Sequence, residues 1–158
     1  MNQQTKALSK RIEAFGDKVI AFTKGLSDDQ WTQICPAEQW SVGVTARHIG
    51  NHLGIFELAA MIVRGDALPP RTMDDINARS NKDSADHAGC TKAETLDFLK
   101  TKREGLLAFL KGLSDEDLAR KGSMPAFNGE VTVAQLLEYV VFQSAAEHFE
   151  SLSAAVAK

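Results

Sequence analysis

The sequence predicts an all-α chain folded as a four-helix bundle. Three observations predict it: apolar residues recur with a helical period over four long stretches, capping or chain-breaking residues bound each stretch, and nowhere does a period of two run long enough for a sheet. The four helices are expected near residues 3–25, 41–64, 91–112 and 132–156.

The first helix carries Leu8, Ile12, Phe15, Val19 and Phe22 on one stripe and ends at Gly25. Ser27-Asp28-Asp29-Gln30 forms a capping box opening a short turn that carries Trp31, and Cys35-Pro36 breaks the chain again. Ser41 caps the second helix. Val42, Ala46, Ile49, Leu53, Phe56, Ala60 and Val63 make one stripe there, and Thr45, His48, His52, Ile55, Ala59 and Ile62 a second beside it. Two adjacent stripes mean burial over a wide face.

Leu68-Pro69-Pro70 is a loop. The polar stretch from Thr72 to about Ala88 reads as a short exposed helix or an ordered crossover, with Thr72 as its cap. A capping box at Thr91–Glu94 opens the third helix, whose stripe is Leu96, Leu99, Arg103, Leu106, Leu110 and Leu113. Another at Thr132–Gln135 opens the fourth, which continues through Leu137, Val140, Val141, Ser144, His148 and Leu152.

Lys24-Gly25-Leu26-Ser27-Asp28-Asp29 recurs as Lys111-Gly112-Leu113-Ser114-Asp115-Glu116. Each copy follows a long amphipathic helix and precedes a proline and then a Ser or Thr cap. A pseudo-symmetric pair of helical hairpins would produce that order; the alternative is that Gly-Leu-Ser-Asp is merely a good helix stop followed by a good start.

The chain has 158 residues, the size of a single domain over 1–158, with ordinary globular fractions of apolar (44%) and charged (25%) residues. The net charge of −3 and the scattered Lys and Arg argue against nucleic acid as a partner. No apolar run approaches the length that spans a bilayer, and the N-terminus lacks the apolar segment of a signal peptide. Cys35 and Cys90 stand in no metal or redox spacing, and the expectation is a cytoplasmic protein with reduced thiols.

Of four histidines, His87 falls in the polar crossover and reads as a surface residue. His48 and His52 lie one helical turn apart and project to the same side. His148 lies on the fourth helix, so if the second and fourth helices are neighbours, three imidazoles can converge. Imidazole nitrogens suit zinc, nickel or iron, and three protein ligands with an open position are the pattern of catalytic zinc. The competing reading is three hydrogen-bonded histidines at stripe edges. Arg103, a charge on an apolar stripe, must snorkel, pair with a carboxylate, or hold an anion at a pocket mouth.

Trp40-Ser41 followed by His48-Ile49 resembles the "W-S/T…H-L" signature of the DinB/YfiT-like superfamily of four-helix bundles, many of them metal-binding. Asp74 to Ala78 looks like its "D-x-x-N-A" segment, Leu113 to Leu118 its "L-S-x-E-x-L", and Glu147-His148 its closing "H-x-x-E-H". The resemblance runs from about Lys24 to Ala155. It implies three ligands, one on the second helix and two at i and i+4 on the fourth. These fall on His48, Ser144 and His148, and Ser144 departs from the pattern, since a serine is a poor metal ligand. His52 is the candidate third ligand, with Glu147 less well aimed, while Ser144 and Arg103 are expected to line the pocket.

The resemblance implies a metal-dependent enzyme, a thiol-dependent transferase or a hydrolase, acting on a small electrophile. A divalent metal bound weakly or not at all and a low-molecular-weight thiol are the cofactors it suggests. A homodimer is the expected assembly. The alternative is a metal-free bundle that binds a small molecule or a protein without catalysis.

Overall fold

The computed structural model describes residues 1–157 and consists of four long helical segments with short elements at their ends. Helix α1 (Gln3–Lys24) begins where the Asn2 side chain accepts from Thr5 N–H. After Gly25 come a short helix α2 (Asp28–Thr32), started by the Ser27 capping box, and a ribbon of β1 (Ile34–Cys35) and β2 (Trp40–Ser41). Helix α3 (Val42–Leu53) starts at the Ser41 cap and stops at Gly54, and α4 (Phe56–Arg64) continues it. The second helix expected from sequence is therefore broken at Gly54-Ile55.

The polar stretch is a helix, α5 (Met73–Asp86), opened by a Thr72–Asp75 capping box. It is tied to α3 by Asp83, whose Oδ2 accepts from Arg47 and Asn51 at 2.8 Å each. Helix α6 (Lys92–Lys111) follows, then a short helix α7 (Asp115–Ala119). A second ribbon pairs β3 (Lys121–Met124) with β4 (Gly129–Thr132), with a 3-10 turn over Pro125–Phe127 between them. Neither ribbon was expected, because strands of two to four residues are too short to show alternation. The last segment runs as α8 (Val133–Leu137), a π-helical stretch over Glu138–Ala145, and α9 (Ala146–Val156).

The internal echo is real at the level of elements. Long helix, short capped helix, ribbon and long helix occur twice, as α1–α2–β1β2–α3 and as α6–α7–β3β4–α8. Neighbours in space, however, come mainly from opposite copies: α1 packs on α6, and α3 packs on α6, on the π segment and on α9. Each ribbon carries the chain across the bundle rather than into a tight hairpin. Ile12 and Val19, Ile49 and Leu53, Leu99, Leu106 and Leu110, and Leu136, Leu137, Val141 and Leu152 meet fully buried between the four segments. Among the described residues, no helix is long and apolar enough to cross a membrane.

Arg103 takes the paired option. Its stem lies on α1, where a Cβ at Gly16 would stand 2.5 Å from Arg103 Cδ, and its guanidinium pairs with Asp17. It therefore belongs to the α1–α6 seam, and the expectation that it lines the pocket is corrected.

The start of α3 depends on a close approach. A Cβ at Gly43 would overlap the Trp31 indole, whose Nε1–H donates to the Cys90 carbonyl at 3.1 Å. Gly43→Ala is expected to destabilise the protein by about 1–3 kcal/mol, as overpacking does, since the rigid ring is held through Nε1, one of the atoms the methyl would meet. Urea unfolding should show a lower midpoint with an unchanged slope; a midpoint equal to wild type would show that Trp31 moves freely.

Candidate metal centre

The packing of α3 against α9 brings His48, His52 and His148 together. His48 and His52, one turn apart on α3, face the last helix, and His148 meets them from α9. The ring centroids are 4.6 Å (His48–His52), 4.8 Å (His48–His148) and 5.1 Å (His52–His148) apart, all edge-on. One nitrogen from each ring can be chosen so that all three lie within 4.8 Å of one another.

Hydrogen bonds assign the hydrogens on two rings. His52 Nδ1 lies 3.1 Å from the His48 carbonyl, which can only accept, so Nδ1 carries the hydrogen and Nε2 is bare. The Ser144 hydroxyl, 3.0 Å away, donates to that bare nitrogen. His148 Nδ1 lies 2.9 Å from Glu38 Oε1, so it too carries the hydrogen, leaving Nε2 free. His48 Nδ1 is buried with no hydrogen-bond partner. A buried, unpartnered imidazole nitrogen beside two further imidazoles is a set of lone-pair donors whose chemistry fits a divalent cation.

The electrostatics agree. Burial pushes the His48 imidazole down to about 3, with the neighbouring His52 and His148 adding to it. Burial also brings His52 to about 4, outweighing the hydrogen bond to the His48 carbonyl. Both rings are neutral near pH 7, the form that coordinates metal.

Trp40, on β2 just before the Ser41 cap, walls the cluster. Its ring meets His48 edge-on at 4.9 Å and lies nearly parallel to His148 at 6.3 Å. Glu38, in the β1–β2 turn, was not found from sequence. Nothing in its local pattern marked it beyond its position two residues before Trp40, and its contacts lie more than a hundred residues away. His87 sits apart from the cluster, bonded through Nδ1 to the Asp83 carbonyl. Glu147 is not part of the three-histidine group.

A family model of the DinB superfamily matches residues 11–149. The chain belongs to the DinB superfamily. Among solved structures it is similar to YfiT from Bacillus subtilis, described as "a probable metal-dependent hydrolase with an unusual four-helix bundle topology". The TM-score is 0.77 at 16% sequence identity, covering 98% of this chain and 87% of that one. No curated protein matches the chain in sequence. The likeness to YfiT shows the fold.

In this DinB-superfamily chain the depressed imidazoles make stability depend on pH. Folded values of about 3 and 4 lie below the ordinary 6.5, so the unfolded chain takes up protons first on acidification. The stabilisation is whole above about pH 6.5 and is lost as pH falls towards the folded values. Urea unfolding of metal-free protein is expected to lose ~2 kcal/mol for each of the two rings between pH 7 and 5. A stability that is flat over that interval would contradict the neutral, desolvated state of the pair.

Proposed function

We propose that this protein is a divalent-metal-dependent enzyme of the hydrolase type, acting on a small electrophilic substrate. The observation that carries the reading is the convergence of three imidazoles from two helices, one with an orphaned buried nitrogen. The family supports it, as does the description of YfiT as a probable metal-dependent hydrolase. His48, His52 and His148 would hold the ion. Bound there, it would supply Lewis acidity towards an oxygen ligand entering beside the three nitrogens.

The chain's own residues supply the rest. His48 and His52 stay neutral and keep their lone pairs available near pH 7. Trp40 covers one side of the cluster and excludes water there. Ser144, at the position where the family pattern has a histidine, leaves room for His52 and donates to its Nε2. Were that nitrogen to hold the cation, the hydroxyl would be free to donate to a substrate oxygen. On this reading His52 replaces the imidazole missing at 144.

Calorimetric titration with zinc or nickel is the direct test. Wild type is expected to bind one ion, and His52→Gln to bind on the order of 100-fold more weakly, because two imidazoles hold a divalent ion poorly. Ser144→Ala is expected to bind up to about tenfold more tightly, since one hydrogen bond no longer has to break. If Ser144→Ala weakens binding as much as His52→Gln, His52 is not the third ligand. Metal-loaded wild type should then be assayed on small esters and amides, with and without a low-molecular-weight thiol. Turnover that needs the metal but no thiol supports hydrolysis. Turnover only with thiol indicates group transfer, and none in either arm, or equal turnover in His48→Gln, rejects the enzyme reading.

A further inference from the structure

Glu38 is a buried acid used by no step above. Its side chain is 8% exposed, and each of its oxygens accepts one hydrogen bond. Oε1 takes the His148 Nδ1–H at 2.9 Å, and Oε2 takes the Ser151 hydroxyl at 2.6 Å. The three residues come from two elements only, the β1–β2 turn and α9, and the turn is held in shape independently of them. Gln39 adopts a left-handed φ of 61°, its side-chain amide donates to the Pro36 carbonyl at 2.6 Å, and its N–H donates to the Cys35 carbonyl at 2.8 Å. The carboxylate therefore reaches α9 from a fixed anchor.

We propose that Glu38 is the positioning residue of the metal centre. It holds His148 in the Nδ1–H form, keeps Nε2 bare towards His48 and His52, and raises the electron density that Nε2 can donate. An isolated neutral imidazole has no such commitment, since either nitrogen can carry the hydrogen. An ionised carboxylate accepts and cannot donate, so it admits only one of the two forms. A carboxylate behind a ligating imidazole raises the basicity of the ligand and fixes its ring. Ser151 has the complementary task, occupying the second oxygen so that the carboxylate does not rotate. The inference rests on the metal reading for its purpose, but its first readout does not need a metal.

The experiment has two parts, on wild type, Glu38→Gln and Glu38→Ala, each first checked for folding by circular dichroism. In metal-free protein, long-range nitrogen–proton NMR of the imidazoles reports which nitrogen of His148 carries the hydrogen. Wild type is expected to show the Nδ1–H form alone, and Glu38→Ala a mixture with the Nε2–H form. Glu38→Gln, whose amide oxygen can still accept, is expected to keep mostly Nδ1–H. Zinc titration should then show affinity lost about 10- to 100-fold in Glu38→Ala and less in Glu38→Gln. An unchanged His148 tautomer in Glu38→Ala overturns the proposal whether or not metal binds. A changed tautomer with zinc affinity within about threefold of wild type also overturns it. If wild type binds no zinc, the proposed function fails and the positioning role fails with it, and the wild-type titration alone reveals that case. Should Glu38→Ala not fold, Glu38→Gln decides. Loss of zinc affinity with the Nδ1–H form intact would support the charge of Glu38 as the source of the effect, and wild-type affinity in that variant would overturn it.

Discussion

Three imidazoles buried against one another bring six ring nitrogens into a space with little water, and each nitrogen must be accounted for. The surrounding structure can be read as the answer. The His48 carbonyl takes one hydrogen from His52, Ser144 covers the opposite nitrogen of that ring, and Glu38 takes a hydrogen from His148. What is left is the Nε2 of His148 and both nitrogens of His48, of which Nδ1 is buried without a partner. A core built only for stability would fill this space with leucine, as it does elsewhere between the same helices. Retaining the histidines there costs stability that leucine would not.

The ring of neighbours follows from the ribbons. Because each crosses the bundle, the second long helix of one copy comes beside the second of the other, and this places α3 against α9. Had consecutive helices packed as simple hairpins, His148 would have had no reason to lie beside His48. The same crossing puts Trp40 and Glu38, on the first ribbon and its turn, at the edge of the cluster.

Much of this was legible in the residues and some of it was not, for physical reasons. Helix starts are local events, so the boxes at Ser27, Thr91 and Thr132 and the cap at Thr72 could be read within four residues, and all of them form. The histidines at i and i+4 with one on the last helix were visible, as was the oddity of Ser144. The break after Leu53 was hidden, because Gly54 inside a strong helical pattern is compatible with an unbroken helix. Arg103 was ambiguous, since its partner Asp17 lies on another helix whose facing side no local pattern reveals. Glu38 was invisible for the same reason: its partners are 110 and 113 residues away.

The π-helical stretch from Glu138 to Ala145 has a consequence for how the length of this chain can vary. Hydrogen bonds that skip five residues instead of four store an additional residue in the helix. Everything beyond it is therefore dialled to a rotational setting that an ordinary α-helix of the same sequence would not have. Taking out one residue between 138 and 145 would relieve the wide turns and give a more regular helix. Because the residue removed is the stored one, α9 would keep its angular setting, whereas a regular α-helix that kept every residue would turn α9 by about 100° about its axis relative to α8. In that turned helix His148 would leave the cluster, Ser151 would leave Glu38, and Phe149 would leave its edge-on contacts with Phe15 and Phe22 on α1. The segment is thus a phase setter, in which regular geometry is traded for the angular position of one imidazole, and a change that straightens it without removing a residue acts on the site while leaving its residues in place.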